Sequence, residues 1–175
     1  HRPSFTERVS ELIDQALCAE HNAQPERDYL WASRLGENCS RKLQYEYTNT
    51  LKDEGFSGQT LRIFAAGHVF EDLAISWLRL AGFELFTEKP NGYQFGFSVA
   101  DGRIRGHVDG IINGAPEVLG LTFPMLWECK SLNAKSWKDT VKRGVVKSKP
   151  VYAAQMATYQ AYMEGSVLGI SKNPA

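Results

Sequence analysis

The most informative segment of the chain is Trp127-Glu128-Cys129-Lys130, which ends a run over 123–130 with the two-residue alternation of a β-strand. Alternate side chains of a strand share a face, so Glu128 and Lys130 point to one side and Trp127 and Cys129 to the other. Apolar residues on both faces predict a central strand that is partly buried on both sides. A carboxylate beside an ammonium is costly there, and a metal ion with a bound water would compensate for it.

A second run, over 104–112, supplies another carboxylate. It places Arg105, His107 and Asp109 on one face. If this strand pairs with the Glu128 strand, the two carboxylates converge, and hard oxygen ligands suit Mg²⁺ or Mn²⁺. The metal would polarise a phosphate and lower the pKa of a water. Lys130 would then position or deprotonate that water, or stabilise the charge that develops on the phosphate.

The remaining pattern predicts helices on both sides of a group of strands. Helical spacing indicates helices over 4–18, 40–51, 59–81, 134–142 and 150–163, and alternation indicates strands over 83–87, 93–99, 104–112 and 123–130. Asn91-Gly92 and Asp101-Gly102 predict the turns of consecutive hairpins. Apolar residues on two sides of the 59–81 helix predict that it is buried on two sides. The order of elements indicates a mixed α+β or α/β fold class.

Four motifs in this framework resemble those of one nuclease superfamily. Asp109, an eighteen-residue gap and then Glu128-x-Lys130 resemble the core of the PD-(D/E)xK nucleases. Three other segments resemble the Gly-His motif, the Gln-x-x-x-Tyr motif and the opening segment of its RecB-type and CRISPR-associated exonuclease branch. They are Gly67-His68-Val69-Phe70-Glu71, Gln155-Met156-Ala157-Thr158-Tyr159 and Leu35-Gly36-Glu37-Asn38-Cys39-Ser40-Arg41-Lys42-Leu43. The four motifs follow the family's order and cover about residues 34 to 160.

The resemblance implies a fold and a division of the chain. It implies a restriction-endonuclease-like core, with a central mixed sheet flanked by helices, over 59–175, preceded by a helical region over 1–58. The family usually has further strands after the Gln155 helix, so we expect the C-terminal strands of the core to be missing. Exonucleases of this branch that carry an iron–sulfur cluster need one early and three late cysteines. Cys39 stands at the early place without a late trio, so no cluster is predicted.

The resemblance also implies roles for single residues. His68, Asp109 and Glu128 would bind the metal, with the backbone carbonyl of Cys129 as a further ligand. Lys130 would be catalytic, together with Asp109 and Glu128. The helix residues Gln155 and Tyr159 would orient the site or touch substrate. Arg41 would contact a phosphate.

The charge is segregated along the chain, although 20 basic and 20 acidic residues sum to zero. Residues 130–149 carry seven lysines and arginines against the single acid Asp139, with Trp137 among them. This segment, which includes Lys135, suits a phosphate backbone held by electrostatics and counterion release. DNA is therefore the expected partner.

Each of these features also has an ordinary structural interpretation. His68 fits a core histidine, Asp109 before Gly110 fits a turn, and Glu128 with Lys130 fits a cross-strand ion pair. Gln155 and Tyr159 fit a plain helix face, and the basic run fits a solvated surface. Glu71 and Asp72 fit either partners of His68 or a solvated helix face.

The leading hypothesis is a metal-dependent DNA nuclease that hydrolyses phosphodiester bonds with a metal-activated water, and the resemblance implies an exonuclease. The alternatives are a non-catalytic nucleic-acid-binding module on the same fold and a structural protein whose final helix docks a partner. No apolar run approaches the length of a membrane helix, and no signal peptide is evident. Three widely spaced cysteines are a poor disulfide framework, so a cytoplasmic protein is expected.

Overall fold

The computed structural model describes residues 2–51 and 54–163, which form a mixed α+β fold. Within these ranges there are six α-helices: α1 (Phe5–Asn22), α2 (Ser40–Tyr47), α3 (Gly58–Leu80), α4 (Ala134–Arg143), α5 (Val145–Ser148) and α6 (Pro150–Met163). The strands are β1 (Leu30–Trp31), β2 (Glu84–Phe86), β3 (Gly96–Val99), β4 (Ile104–His107), β5 (Gly110–Gly114) and β6 (Met125–Trp127). None of the helices in the described ranges combines the length and hydropathy of a membrane span.

The helix ends follow the local sequence closely. The Ser4 side chain accepts a hydrogen bond from the Glu7 backbone N–H, and the Glu7 carboxylate accepts one from the Ser4 N–H, which forms a capping box at the start of α1. Pro150 begins α6, where its missing N–H costs nothing. The helices predicted near 59–81, 134–142 and 150–163 are confirmed, whereas α1 continues four residues further and α2 ends four residues earlier than predicted.

The strands form two sheets of three strands each in the described part of the chain. In sheet A, β4 lies between β1, to which it is parallel, and β3, to which it is antiparallel. In sheet B, β5 lies between β2 and β6 and is antiparallel to both. The predicted Asp101-Gly102 turn closes the β3–β4 hairpin, with Asp101 and Gly102 at φ values of 56° and 84°. The Asn91-Gly92 turn forms too, but it connects β2 of one sheet to β3 of the other.

The single strand predicted over 104–112 is wrong, because the chain changes sheets within it. It leaves sheet A after His107 and enters sheet B at Gly110. Val108 is fully buried at the crossing, next to Ile111 in the core, so the apolar alternation continues without a break. The described residues therefore form two small sheets where one central sheet was predicted.

Two further predictions about strands need comment. β6 is short and lies at an edge of sheet B, so the prediction of a central strand over 123–130 is wrong for the described residues. β1, from the region 1–58 that was predicted to be helical, pairs with β4. The division at residue 58 stays a prediction. Residues 164–175, and any strands that would follow α6, lie outside the described residues.

Among the described residues, the long helix α3 packs against neighbours mainly on one side. It contacts α1 and β2. Its opposite side leaves Ile63, Phe70 and Trp77 more than half exposed and Leu80 83% exposed. The prediction that α3 is buried on two sides is therefore wrong for the described chain, because α1 and the short strand β2 cover a single face.

The core lies between the sheets and α6. Its buried members are Ala32, Val108, Ile111, Tyr159 and Met163, and partly buried apolar side chains pack around them. Gly36 is in close contact with α6, because a Cβ on it would lie 2.7 Å from Cα of Val151 and 2.9 Å from Cβ of Ala154. This contact sets the position of α6, the helix that covers the predicted site.

Candidate active site

The carboxylates of Asp109 and Glu128 are brought together by the pairing of β5 with β6. Gly110 is opposite Trp127 in this ladder, so the next pair outward is Asp109 with Glu128. The backbone N–H of Cys129 donates a 2.7 Å hydrogen bond to Oδ2 of Asp109. The predicted pairing of the two segments is therefore observed, and the carboxylates sit where the ladder ends.

Glu128 is deeply buried for a charged group, with 8% of its side chain exposed. Its Oε1 accepts hydrogen bonds from Nζ of Lys130 and from Nε2 of Gln155. Its Oε2 is buried and has no hydrogen-bond partner within the described residues. Burial, and then the charge of Asp109, raise the pKa of Glu128. A buried carboxylate oxygen without a partner is an unusual feature that a bound cation would resolve.

Lys130 lies beside this carboxylate, as the alternation predicted. Its ammonium donates to Oε1 of Glu128 and, at 3.3 Å, to the backbone carbonyl of Cys129. The Tyr152 ring lies 5.8 Å from the ammonium, at cation–π distance. Burial acts to lower the pKa of Lys130, but the hydrogen bond and charge of Glu128 outweigh burial, so that its pKa is raised. Lys130 is therefore held in its charged form.

Helix α6 covers the site with Gln155 and Tyr159, both of which are almost fully buried. Gln155 donates one hydrogen bond to Glu128 and another, at 3.0 Å, to the hydroxyl of Tyr159. Burial, followed by the charge of Glu128, raises the pKa of Tyr159 to about 12, so the phenol stays neutral. Sequence reasoning missed Tyr152, although it shares this helical face, three residues before Gln155.

His68 does not lie where the resemblance placed it. Its side chain is 82% exposed on α3, and its Nδ1 is 3.8 Å from Oε2 of Glu71. Glu71 is more buried, and its pKa is raised by burial and then by the charge of Asp109, which marks it as the α3 side chain closer to the carboxylates. The signal for Glu71 was its position one helical turn after His68.

The oxygen ligands present suit a hard divalent cation that needs few ligands from the protein. Within the described ranges, no three His, Cys, Asp or Glu side chains are close enough to hold an ion by themselves. Mg²⁺ commonly keeps several waters and takes only one or two carboxylates plus substrate phosphates. Asp109, the unpartnered oxygen of Glu128 and the Cys129 carbonyl fit that requirement, whereas His68 as placed does not contribute.

The predicted phosphate contacts lie on other surfaces. Lys135 lines an open groove of about 670 Å³ along α4, together with Asn133, Ser136, Lys138, Asp139, Lys142 and Lys149. Lys149 donates a 3.1 Å hydrogen bond to Oγ of Ser136, which holds one wall of this basic groove. Arg41 is exposed on α2. Comparisons of the chain with protein families, with curated proteins and with solved structures return no match.

Proposed function

We propose that this protein is a metal-dependent DNA nuclease of the PD-(D/E)xK type, closest to the RecB-like exonucleases, on a restriction-endonuclease-like core. The observation that carries the proposal is the buried, unpartnered Oε2 of Glu128, next to Asp109 and beside the charged Lys130. The ordered motifs of the sequence point to the same chemistry. The three free cysteines agree with a reducing compartment, and we propose that the protein acts in the cytoplasm.

The residues of the chain would divide the work as follows. When bound, Mg²⁺ or Mn²⁺ supplies Lewis acidity and an activated water. Asp109 is oriented by the Cys129 N–H, and Glu128 is oriented by Gln155 from α6. Because its pKa is raised, Lys130 stays protonated at neutral pH, which favours stabilisation of charge on the phosphate over deprotonation of the water.

The basic groove of α4 would hold the DNA backbone outside the site. Lys135, Lys138 and Lys142 lie along one groove, with Asp139 as the acid among its lining residues. Electrostatic contacts of this kind bind phosphates without regard to sequence. The residues that line the groove come after Lys130 in the sequence. Consecutive segments of the chain would therefore contact the scissile phosphate and the neighbouring DNA backbone.

A nuclease assay with Mg²⁺ or Mn²⁺ tests the proposal directly. Glu128→Gln and Lys130→Ala should each lower the cleavage rate about 100-fold or more. Glu117→Gln, on an exposed turn, is the matched control and should cleave like the wild type. Equal cleavage by the wild type and both site variants, or no cleavage by any of them, would overturn the assignment.

The alternative, a nucleic-acid-binding module without catalysis, has its own signature. The basic groove would be retained while the carboxylates had no metal to hold. Calorimetry that shows no Mn²⁺ uptake, together with salt-dependent DNA affinity, would support this alternative over the nuclease.

A further inference from the structure

The outer face of sheet A carries chemistry that the carboxylate site does not use. The strand pairs place Trp31 opposite Arg105, and His107 opposite Gly96, on one face of the sheet. The neighbouring Gly106 points the other way, because a Cβ on it would lie 2.7 Å from the Phe97 ring in the core. The face with Trp31, Arg105 and His107 is therefore turned away from α6 and the core.

Three rings form a row on this outer face. The His107 ring lies directly over Gly96, in space that a Cβ at residue 96 would fill. The ring centroids of His107 and Trp31 are 5.3 Å apart, and those of Trp31 and Tyr29 are 5.0 Å apart. The row crosses from β4 to β1 and the residues just before β1. The planes of Tyr29 and Trp31 meet at 89° and those of Trp31 and His107 at 59°, so the rings form a stepped row.

Positive charge borders the same row. Cζ of Arg105 lies 4.3 Å from the Tyr29 ring centroid, and Cζ of Arg27 lies 5.6 Å from that of Trp31. Arg105 is held there by the carbonyl of Gly102 at 3.1 Å and by the exposed Asp28 at 3.7 Å. Asp28 is the acid in contact with Arg105.

We propose that this face binds single-stranded DNA, with unpaired bases stacked on the Tyr29–Trp31–His107 row and the backbone held by Arg27 and Arg105. The His107 ring is exposed and the Tyr29 and Trp31 rings are half-buried. Solvent-accessible rings beside cations match single strands, because stacked duplex bases cannot present their faces. His107 lies two residues before Asp109 in the chain, so this face adjoins the segment that carries one of the carboxylates. The inference deepens the proposed function and rests on it for the choice of nucleic acid over other anions.

Fluorescence anisotropy in EDTA tests binding separately from cleavage. The probe is a labelled oligothymidine of about 16 nucleotides, compared with a duplex of equal length. The full chain should bind the single strand more tightly. Trp31→Leu should raise the Kd about tenfold, as the loss of one stacked base does. Trp77→Leu is the matched control, because Trp77 is exposed on α3, and it should bind like the wild type.

A second variant keeps the test valid if Trp31→Leu fails to fold. Arg27 is exposed, so Arg27→Gln should leave the circular dichroism spectrum unchanged. It should lower the slope of log K against log salt by about 0.7, the value for one phosphate contact to a single strand. Arg8→Gln, on the exposed side of α1, is its control and should keep the wild-type slope.

The outcomes separate this inference from the nuclease assignment. An Arg27→Gln variant with the affinity and salt slope of the wild type would overturn the inference, as would equal affinity for duplex and single strand. If the wild type does not cleave DNA in Mg²⁺, but Trp31→Leu and Arg27→Gln weaken binding as expected, only the nuclease assignment is contradicted. If the protein cleaves DNA with metal, but Trp31→Leu and Arg27→Gln both bind DNA like the wild type, only the proposed binding face is contradicted.

Discussion

The backbone N–H of Cys129 donates a hydrogen bond to the carboxylate of Asp109 just beyond the last paired residues of β5 and β6. The bond joins two strands where their ladder has ended, so it fixes the rotation of the Asp109 side chain. A hydrogen bond to a charged acceptor contributes about 1.5–3 kcal/mol. It also directs one carboxylate oxygen away from the site and leaves the other available to a cation.

Replacing the charge of Asp109 while keeping this hydrogen bond separates its two roles. Asp109→Asn can still accept from the Cys129 N–H through its amide oxygen, so we expect a Tm close to that of the wild type. Mn²⁺ affinity measured by calorimetry should fall at least about tenfold, because a neutral amide is a weaker ligand for a hard cation. Asp101→Asn, in the β3–β4 turn, should change neither quantity. Unchanged Mn²⁺ affinity in Asp109→Asn would remove Asp109 from the metal site.

The raised pKa of Glu128 predicts a stability effect of defined sign. A carboxyl whose pKa is higher in the folded protein contributes stability below its ordinary pKa, and loses it as the pH rises through the folded value. At neutral pH the metal-free protein therefore carries an unfavourable charge at this position. Glu128→Gln removes it, and we expect the Tm at pH 7 to rise by roughly 2–4 °C.

The pH dependence supplies the control for Glu128→Gln. Near pH 4, roughly the ordinary pKa of a glutamate, the Tm difference from the wild type should shrink towards zero. Glu117→Gln should show no such pH-dependent difference. A Glu128→Gln variant that melts below the wild type at pH 7 in EDTA would mean that Lys130 and Gln155 outweigh burial and Asp109.

Lys130 donates to the Cys129 carbonyl, which is one of the oxygens that a metal would use, and its ammonium also contacts Oε1 of Glu128. Lys130→Met frees the Cys129 carbonyl, leaves Gln155 on Oε1 of Glu128, and removes a like charge from beside the cation. We expect Mn²⁺ to bind about tenfold more tightly to this variant, although cleavage is lost. Calorimetry in the absence of DNA measures this directly. Weaker Mn²⁺ binding in Lys130→Met would show that the cation and the ammonium do not compete for the Cys129 carbonyl.

Two glycine substitutions test how α6 is positioned. Gly36→Ala places a Cβ 2.7 Å from Cα of Val151, so α6 must shift and carry Gln155 away from Glu128. Overpacking of this kind costs about 1–3 kcal/mol, and we expect lower activity with it. Gly67→Ala, in the middle of α3 with nothing within 4 Å, should instead stabilise by about 0.5–1 kcal/mol. Urea unfolding and the cleavage assay compare the two variants.

The local elements followed from the sequence because local signals specify them. The capping box at Ser4, the start of α6 at Pro150 and the turn at Asp101-Gly102 all depend on neighbours within a few residues. The passage from one sheet to the other at Val108 does not, since the apolar alternation is the same whichever sheet receives the strand. Only the tertiary structure decides whether the chain stays in sheet A after Val108 or passes into sheet B.

The site was predictable to the extent that it depends on strand alternation and helix periodicity. The neighbours Glu128 and Lys130, and Gln155 with Tyr159 one turn apart, follow directly from these periods. The exposed position of His68 and the more buried one of Glu71 depend on the rotation of α3 about its axis. Packing against α1 and β2 sets that rotation, and the sequence of α3 alone does not specify it.

One continuous backbone belongs to both sheets, with His107 as the last residue of β4 and Gly110 as the first of β5. Asp109 stands in this short connection, and buried Val108 prevents it from acting as a loose hinge. A ligand that binds β4 and shifts its backbone would therefore also shift Asp109, which lies two residues after His107. By thermodynamic reciprocity, an ion held by Asp109 and a strand resting on His107 would each alter the affinity for the other to the same degree.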